Sequence, residues 1–214
     1  MKLKFILVIV LIPVLIYLFS AITVVYDKEF YTTELAKLGS SEKLVACHEK
    51  IANYLTQEGT LGSLDAVEGI SAAEKSHLAD VKDLMNDLPI VFIVLSLLFF
   101  SLLQRIKEKR KVLLYGGILA AAIPLFLYVI PFDSVFNLFH QIFFPQGNWM
   151  FSPDSLLIQV YPSQFFKDAA FRIFGQGFIV GNITAILSFL SSKTGTFIYS
   201  KIYVKVAKLV KLMG

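Results

Sequence analysis

From Phe5 to Tyr26 the chain runs for about 22 residues without a charged side chain. A backbone in hydrocarbon must satisfy its own hydrogen bonds, so a single run of this length crosses a bilayer as a helix. A secretory signal also opens with basic residues, here Lys2 and Lys4, before an apolar stretch. This stretch exceeds the ~7–15 residues of such a signal and no A-x-A cleavage site follows, so it reads as a retained span. Pro13 should kink it mildly. Three further apolar runs, at residues 88–104, 112–130 and 169–190, bring the expected number of transmembrane helices to four. With 56% apolar residues, 17% charged residues and 20 phenylalanines, the composition agrees with an all-α polytopic membrane protein.

Charge assigns the sides. The N-terminus carries Lys2 and Lys4, the hinge 105–111 (RIKEKRK) is net +4, and the tail 191–214 holds five lysines and no acid. The segment 27–87 has six lysines against twelve carboxylates, and 131–168 has one lysine against three aspartates. Four spans put the three basic segments on one side, which the positive-inside rule makes cytoplasmic. Both termini are then expected inside. Residues 27–87 form a small extracytoplasmic helical cap, and 131–168, with eight phenylalanines, an aromatic interfacial loop.

Within the cap, Leu44, His48, Ile51 and Leu55 share one face of a helix over 41–56, which Gly59 and Gly62 end. A second helix, 71–84, starts at the capping-box pair Ser71 and Glu74. Pro89 is expected in the first turn of the second span, where its missing N–H is harmless. Gly116, Gly117 and Ala120–Ala122 offer a small-residue face in the third span for the glycines of the fourth, Gly175, Gly177 and Gly181. From Phe197 on, Lys201, Lys205, Lys208 and Lys211 suit an amphipathic helix on an anionic leaflet.

Two histidines, His77 and His140, fall beside spans on the same outer face. Imidazole is the side chain that takes and returns a proton near neutrality, so the pair is a candidate for proton transfer, against the plainer alternative of interfacial packing. Asp80, one turn beyond His77, and Glu74 are candidates to orient it; Asp154 and Asp168 are candidates to serve His140. A zinc set of His48, His77 and His140 lacks ligand spacing, and no metal or other cofactor is expected. Cys47, the single cysteine, excludes an intrachain disulfide, and it does not face its neighbour His48 on a helix. Arg172, just inside the fourth span, needs a partner: Asp168 one turn back, or a phosphate or carbonyl oxygen of substrate. Trp149, Phe151, Tyr161 and Phe165 read as belt aromatics or as walls of an acyl-chain groove. Basic residues without aromatic interleaving give no sign of nucleic-acid binding, and no spanning segment carries the midplane acid or histidine of a transporter.

The motifs HLADVK (77–82), FHQIFF (139–144) with the following Trp149–Met150–Phe151, and YPSQFFKD (161–168) resemble a family of small four-span membrane proteins of Gram-positive bacteria. That family is typified by the lipoprotein intramolecular transacylase. The resemblance implies a plasma-membrane acyltransferase with its active site on the extracytoplasmic face. It would act on lipoproteins whose N-terminal cysteine bears a diacylglyceryl thioether and a free α-amine, among membrane phospholipid and without an obligate protein partner. The internal glyceryl ester's acyl chain moves to that amine, giving the lyso form. By similarity, His77 and His140 are the essential residues. Starting from His140 as base for the amine and His77, oriented by Asp80, as acid or oxyanion stabiliser, the two roles remain exchangeable. No serine or cysteine stands in a nucleophile setting, so transfer is expected to be direct. A different class, a membrane sensor or accessory subunit with a binding cap, is suggested by the size of the acidic segment.

Overall fold

The computed structural model describes residues 2–56 and 61–191, apart from the side chains of Lys2, Leu61 and Gly62. The break expected at Gly59 and the amphipathic tail helix expected from Phe197 lie outside the described residues. The described chain is helical throughout: α1 (Lys2–Val25), α2 (Lys28–Lys37), α3 (Glu42–Thr56), a 3₁₀ turn (Leu61–Ala66), α4 (Ala72–Gln104), α5 (Lys109–Leu127), α6 (Phe132–Phe143), α7 (Leu156–Val160) and α8 (Ser163–Leu190). Among the described residues four helices, α1, α4, α5 and α8, are long and apolar enough to cross a membrane. Their outward side chains, such as Leu97 (67% exposed) and Leu187 (62% exposed), form apolar surface suited to lipid.

Several boundaries differ from the expected ones. The helix expected over 71–84 and the second span are one helix of 33 residues, with Pro89 in its interior rather than its first turn. The 131–168 segment holds two helices, α6 and α7, and α8 begins at Ser163, before the expected span. Tertiary contacts explain how α4 runs through a proline. Pro89 has no N–H for the carbonyl of Met85, four residues back. The Tyr26 Oη donates to that carbonyl at 2.9 Å instead. The same repair occurs at Pro124, whose missing N–H would have served Ala120: the Tyr17 Oη donates to the Ala120 carbonyl at 2.7 Å. Tyr17 of α1 and Tyr26 just beyond its end thus replace two lost helix bonds where water is scarce. Tyr26→Phe and Tyr17→Phe are each expected to destabilise the protein by about 1 kcal/mol. The losses should add, because the two hydroxyls serve different helices and share no partner. Thermal unfolding in detergent measures this; wild-type melting of both variants would refute it.

The chain divides into two compact units. One comprises residues up to Tyr17, Val94–Leu125 and the chain from Gly175. Its core gathers Val8, Leu11, Ile12, Phe99 and Val112. Here the expected small-residue face is found at Gly117 and Gly181, where α5 meets α8. A Cβ on Gly117 would stand 2.7 Å from the Gly181 carbonyl oxygen, and one on Gly181 2.9 Å from that of Gly117. Gly177 instead faces the Tyr17 ring and Gly175 faces open space, so they do not share that packing.

The other unit, Leu18–Ile93 with Phe126–Phe174, holds the candidate site. Ile51, Leu64, Leu78, Val160 and Phe165 anchor its core. His48 and Ile51 of the expected α3 face are buried. The capping box at the start of α4 is reciprocal: Ser71 N–H donates to Glu74 Oε2 at 2.7 Å and Glu74 N–H to Ser71 Oγ at 3.2 Å. Glu74 Oε1 accepts from the Leu157 N–H at 2.8 Å, which ties the start of α7 to that of α4.

Candidate active site

His77 lies in the second turn of α4, and His140 lies in the last turn of α6. The structure brings their rings together, with centroids 6.1 Å apart and planes inclined by 31°. Both are buried. α6 is amphipathic because its apolar residues recur at helical spacing. Its outer face exposes Leu138, Phe139, Ile142 and Phe143, while His140 turns inward. An aromatic box closes around the pair. Phe144 stands edge-on to His77 at 4.8 Å, and Phe151 lies 5.7 Å from the same ring. Phe136 and Trp149 lie 4.1 and 4.8 Å from His140. Phe144 and Trp149 also line an open groove of about 570 Å³ with Asn137, Gln141 and Met150.

Such surroundings penalise charge. Burial, then the neighbouring His140, pushes His77 down from 6.5 to about 4, against the pull of Asp80 and Asn148. His140 is also lowered by burial, with partial relief from its bond to the Phe136 carbonyl. Both imidazoles are therefore neutral at pH 7. His140 Nδ1 lies 2.8 Å from the Phe136 carbonyl oxygen, an acceptor only, so this nitrogen carries the proton and Nε2 keeps its lone pair.

The other expected site residues are placed differently. Asp80 does not bond His77: its Oδ2 accepts from Gln146 Nε2 and Asn148 Nδ2, both at 2.6 Å. Both oxygens of Glu74 are committed to backbone N–H groups, so it orients the helix rather than the ring. Asp168 pairs with Lys37 at 2.7 Å, and Asp154 is exposed; the bond that orients His140 comes from Phe136. Arg172 pairs with Asp27 at 2.5 Å rather than with Asp168, and its guanidinium lies over the Phe30 ring. The bond from Phe30 N–H, and those from Arg172 and Glu29, hold the Asp27 carboxyl below its usual range against the opposing effect of burial. Tyr161 and Phe165 are core residues rather than groove walls. The Tyr161 hydroxyl lies 2.7 Å from His48 Nδ1, a second buried polar pair. Asn148 was not legible as a site residue, although Gln146 and Asn148 are the polar exceptions between Pro145 and Trp149 in an aromatic segment.

Four apolar helices and a buried pair of imidazoles define a class: a multi-pass membrane protein with two adjoining histidines beneath an aromatic surface. Comparison with known proteins makes this specific. A model of the lipoprotein intramolecular transacylase family, Lit, matches residues 3–166. The structure of the membrane-integral lipoprotein intramolecular transacylase Lit from Bacillus cereus superposes with a TM-score of 0.68, at 22% identity over 97% of both chains. A variant of that protein with one histidine replaced by alanine gives 0.67, at 24% identity over 87% of this chain and 91% of the other. At these identities the likeness establishes the fold. An uncharacterized protein of Aquifex aeolicus (strain VF5) is 28% identical over 124 residues, 56% of each chain, so the match spans about half that relative's length. The chain belongs to the lipoprotein intramolecular transacylase family. Membership supports intramolecular acyl transfer on lipoproteins, and with it acyltransferase activity in the membrane.

Proposed function

We propose that the protein transfers an acyl chain within one diacylglyceryl-modified lipoprotein, from the internal glyceryl ester to the α-amine of the N-terminal cysteine. The products are an amide and a monoacylglyceryl thioether, the lyso form. The observation that carries this reading is the buried imidazole pair, 6.1 Å between centroids, inside an aromatic box. A neutral primary amine has two N–H bonds and one lone pair. Two imidazole Nε2 atoms accepting those N–H bonds would hold the amine and leave its lone pair for the ester carbonyl.

His140 serves as the proton carrier because the Phe136 carbonyl, which accepts from its Nδ1–H, favours the imidazolium that forms. As the C–N bond forms, His140 Nε2 takes one amine proton; as the glyceryl C–O bond breaks, the imidazolium returns that proton to the glyceryl oxygen. His77 stays neutral and orients the amine, in place of the acid or oxyanion role first considered. The reaction consumes no water, and holding both reacting groups of one molecule together supplies much of the rate. Trp149 and Phe151 would guide an acyl chain toward the pair. We place the site on the extracytoplasmic face of a bacterial plasma membrane, with both termini inside, on the strength of the charge asymmetry between flanking segments.

The test is expression in a strain that makes only diacylated lipoproteins, with mass spectrometry of the lipoprotein N-terminus. The N-acyl lyso form is expected. Unchanged diacylated lipoproteins despite membrane expression would sink the proposal.

A further inference from the structure

We infer that Asn148 is a positioning residue that sets the tautomer of His77: gripped by Asp80 and Ser76, its carboxamide offers Oδ1 to the His77 Nδ1–H and leaves Nε2 to accept a hydrogen bond from the substrate amine. This inference rests on the acyl-transfer reading for its kinetic consequence, but not for its geometry.

The orientation of the amide follows from its neighbours. Asn148 Nδ2 lies 2.6 Å from Asp80 Oδ2 and 3.2 Å from Ser76 Oγ. An ionised carboxylate only accepts hydrogen bonds, so the end of the amide facing Asp80 must be its NH₂. Oδ1 is thereby committed to the opposite side, where it is buried with no fully formed hydrogen bond. The His77 Nδ1 is buried in the same condition. The two side chains are hydrogen-bonding neighbours, although the contact falls short of full geometry. Two buried, complementary and adjacent groups left open are costly unless they close on each other.

The backbone supports the same reading. Ser76, His77 and Asp80 lie on one stretch of α4. Gly147 adopts φ +77°, a conformation that favours glycine and that turns the 145–149 segment. Gln146 Nε2 gives Asp80 a second bond at 2.6 Å, so the carboxylate holds this segment at two points. Asp80 therefore reaches the imidazole through Asn148 rather than directly. With His140 Nδ1 held by the Phe136 carbonyl, both rings would present Nε2 lone pairs, the state needed to receive the two N–H bonds of an amine.

The experiment is ¹⁵N NMR of ring-labelled histidines in the full-length, detergent-solubilised protein without substrate, paired with transfer kinetics. In the wild type, His77 should carry its proton on Nδ1. Asn148→Ala should mix the two tautomers of His77 and lower turnover by about 10- to 100-fold, with KM changed by less than about twofold. The Asp80→Ala/Asn148→Ala double variant should fall no more than about twofold below the worse single variant, since both act through one contact. An Nε2–H tautomer in the wild type, an unchanged tautomer in Asn148→Ala, or multiplicative losses would each overturn the inference. If Asn148→Ala does not fold, the wild-type spectrum still decides. A wild-type protein with the stated tautomer but no acyl transfer would tell against the proposed function alone.

Discussion

Replacing His140 by alanine is expected to slow acyl transfer by about 10³-fold, the loss of a group that both accepts and returns the reaction's proton. His77→Ala is expected to cost less, about 10²-fold, because His77 orients the amine but does not carry the proton. Lyso-form production by the purified protein in vesicles, followed by mass spectrometry, reads both rates. A His140→Ala protein that folds and keeps a tenth of wild-type activity would remove His140 from the mechanism, and a reversed order of severity would exchange the two roles. The pH dependence follows from the same electrostatics. Both imidazoles are shifted below 6.5, so both remain neutral bases above that value and charge only as the pH falls further. Between pH 6.5 and 9 the rate should rise once, with the α-amine of the substrate, whose ordinary pKa is ~7.7–8.0. A second, histidine-dependent rise above pH 6.5 would contradict the neutral pair.

Glu74→Ala is expected to be the most damaging single change to stability, at about 3 kcal/mol. Glu74 is 2% exposed and accepts from two backbone N–H groups, Ser71 at 2.7 Å and Leu157 at 2.8 Å. Its removal strands both donors and empties the space, and each buried, unpaired donor costs about 1–3 kcal/mol. Ser71→Ala removes only the hydroxyl half of the capping box and should cost about 1 kcal/mol. Thermal unfolding in detergent distinguishes the two. Equal melting of Glu74→Ala and Ser71→Ala would show that the Leu157 bond contributes nothing. Because Glu74 precedes His77 by one turn on α4, transfer should weaken along with stability.

Much of this was legible because it depends on local rules. The capping box at Ser71 and Glu74 needs only a three-residue spacing, and the pair forms as the spacing implies. The four apolar helices needed only run length. The close approach of Gly117 and Gly181 was anticipated from small residues alone, but which of the three α8 glycines took part was not. The assignments of charged side chains failed over their partners. Arg172 has Asp168 one turn away in sequence and bonds Asp27, 145 residues distant. Asp80 sits a turn from His77 and bonds Asn148, 68 residues distant. Short separation along a helix makes contact possible, but a charged group settles where desolvation and geometry are best satisfied, and that depends on the whole unit.

By itself the sequence determined an all-α chain with four membrane-length helices, because apolar run length and backbone hydrogen bonding leave no other solution in lipid. It also singled out His77 and His140, by chemistry and by their motifs. Only the tertiary structure decided that the two rings meet in an aromatic box, and that the Phe136 carbonyl fixes the His140 tautomer. It also decided that Tyr26 and Tyr17 carry α4 and α5 through their prolines. The physical reason is common to all three. Packing decides which polar groups are buried. A buried group takes whatever partner then lies within about 3 Å, whether four residues back, as for His140, or far along the chain, as for the tyrosines.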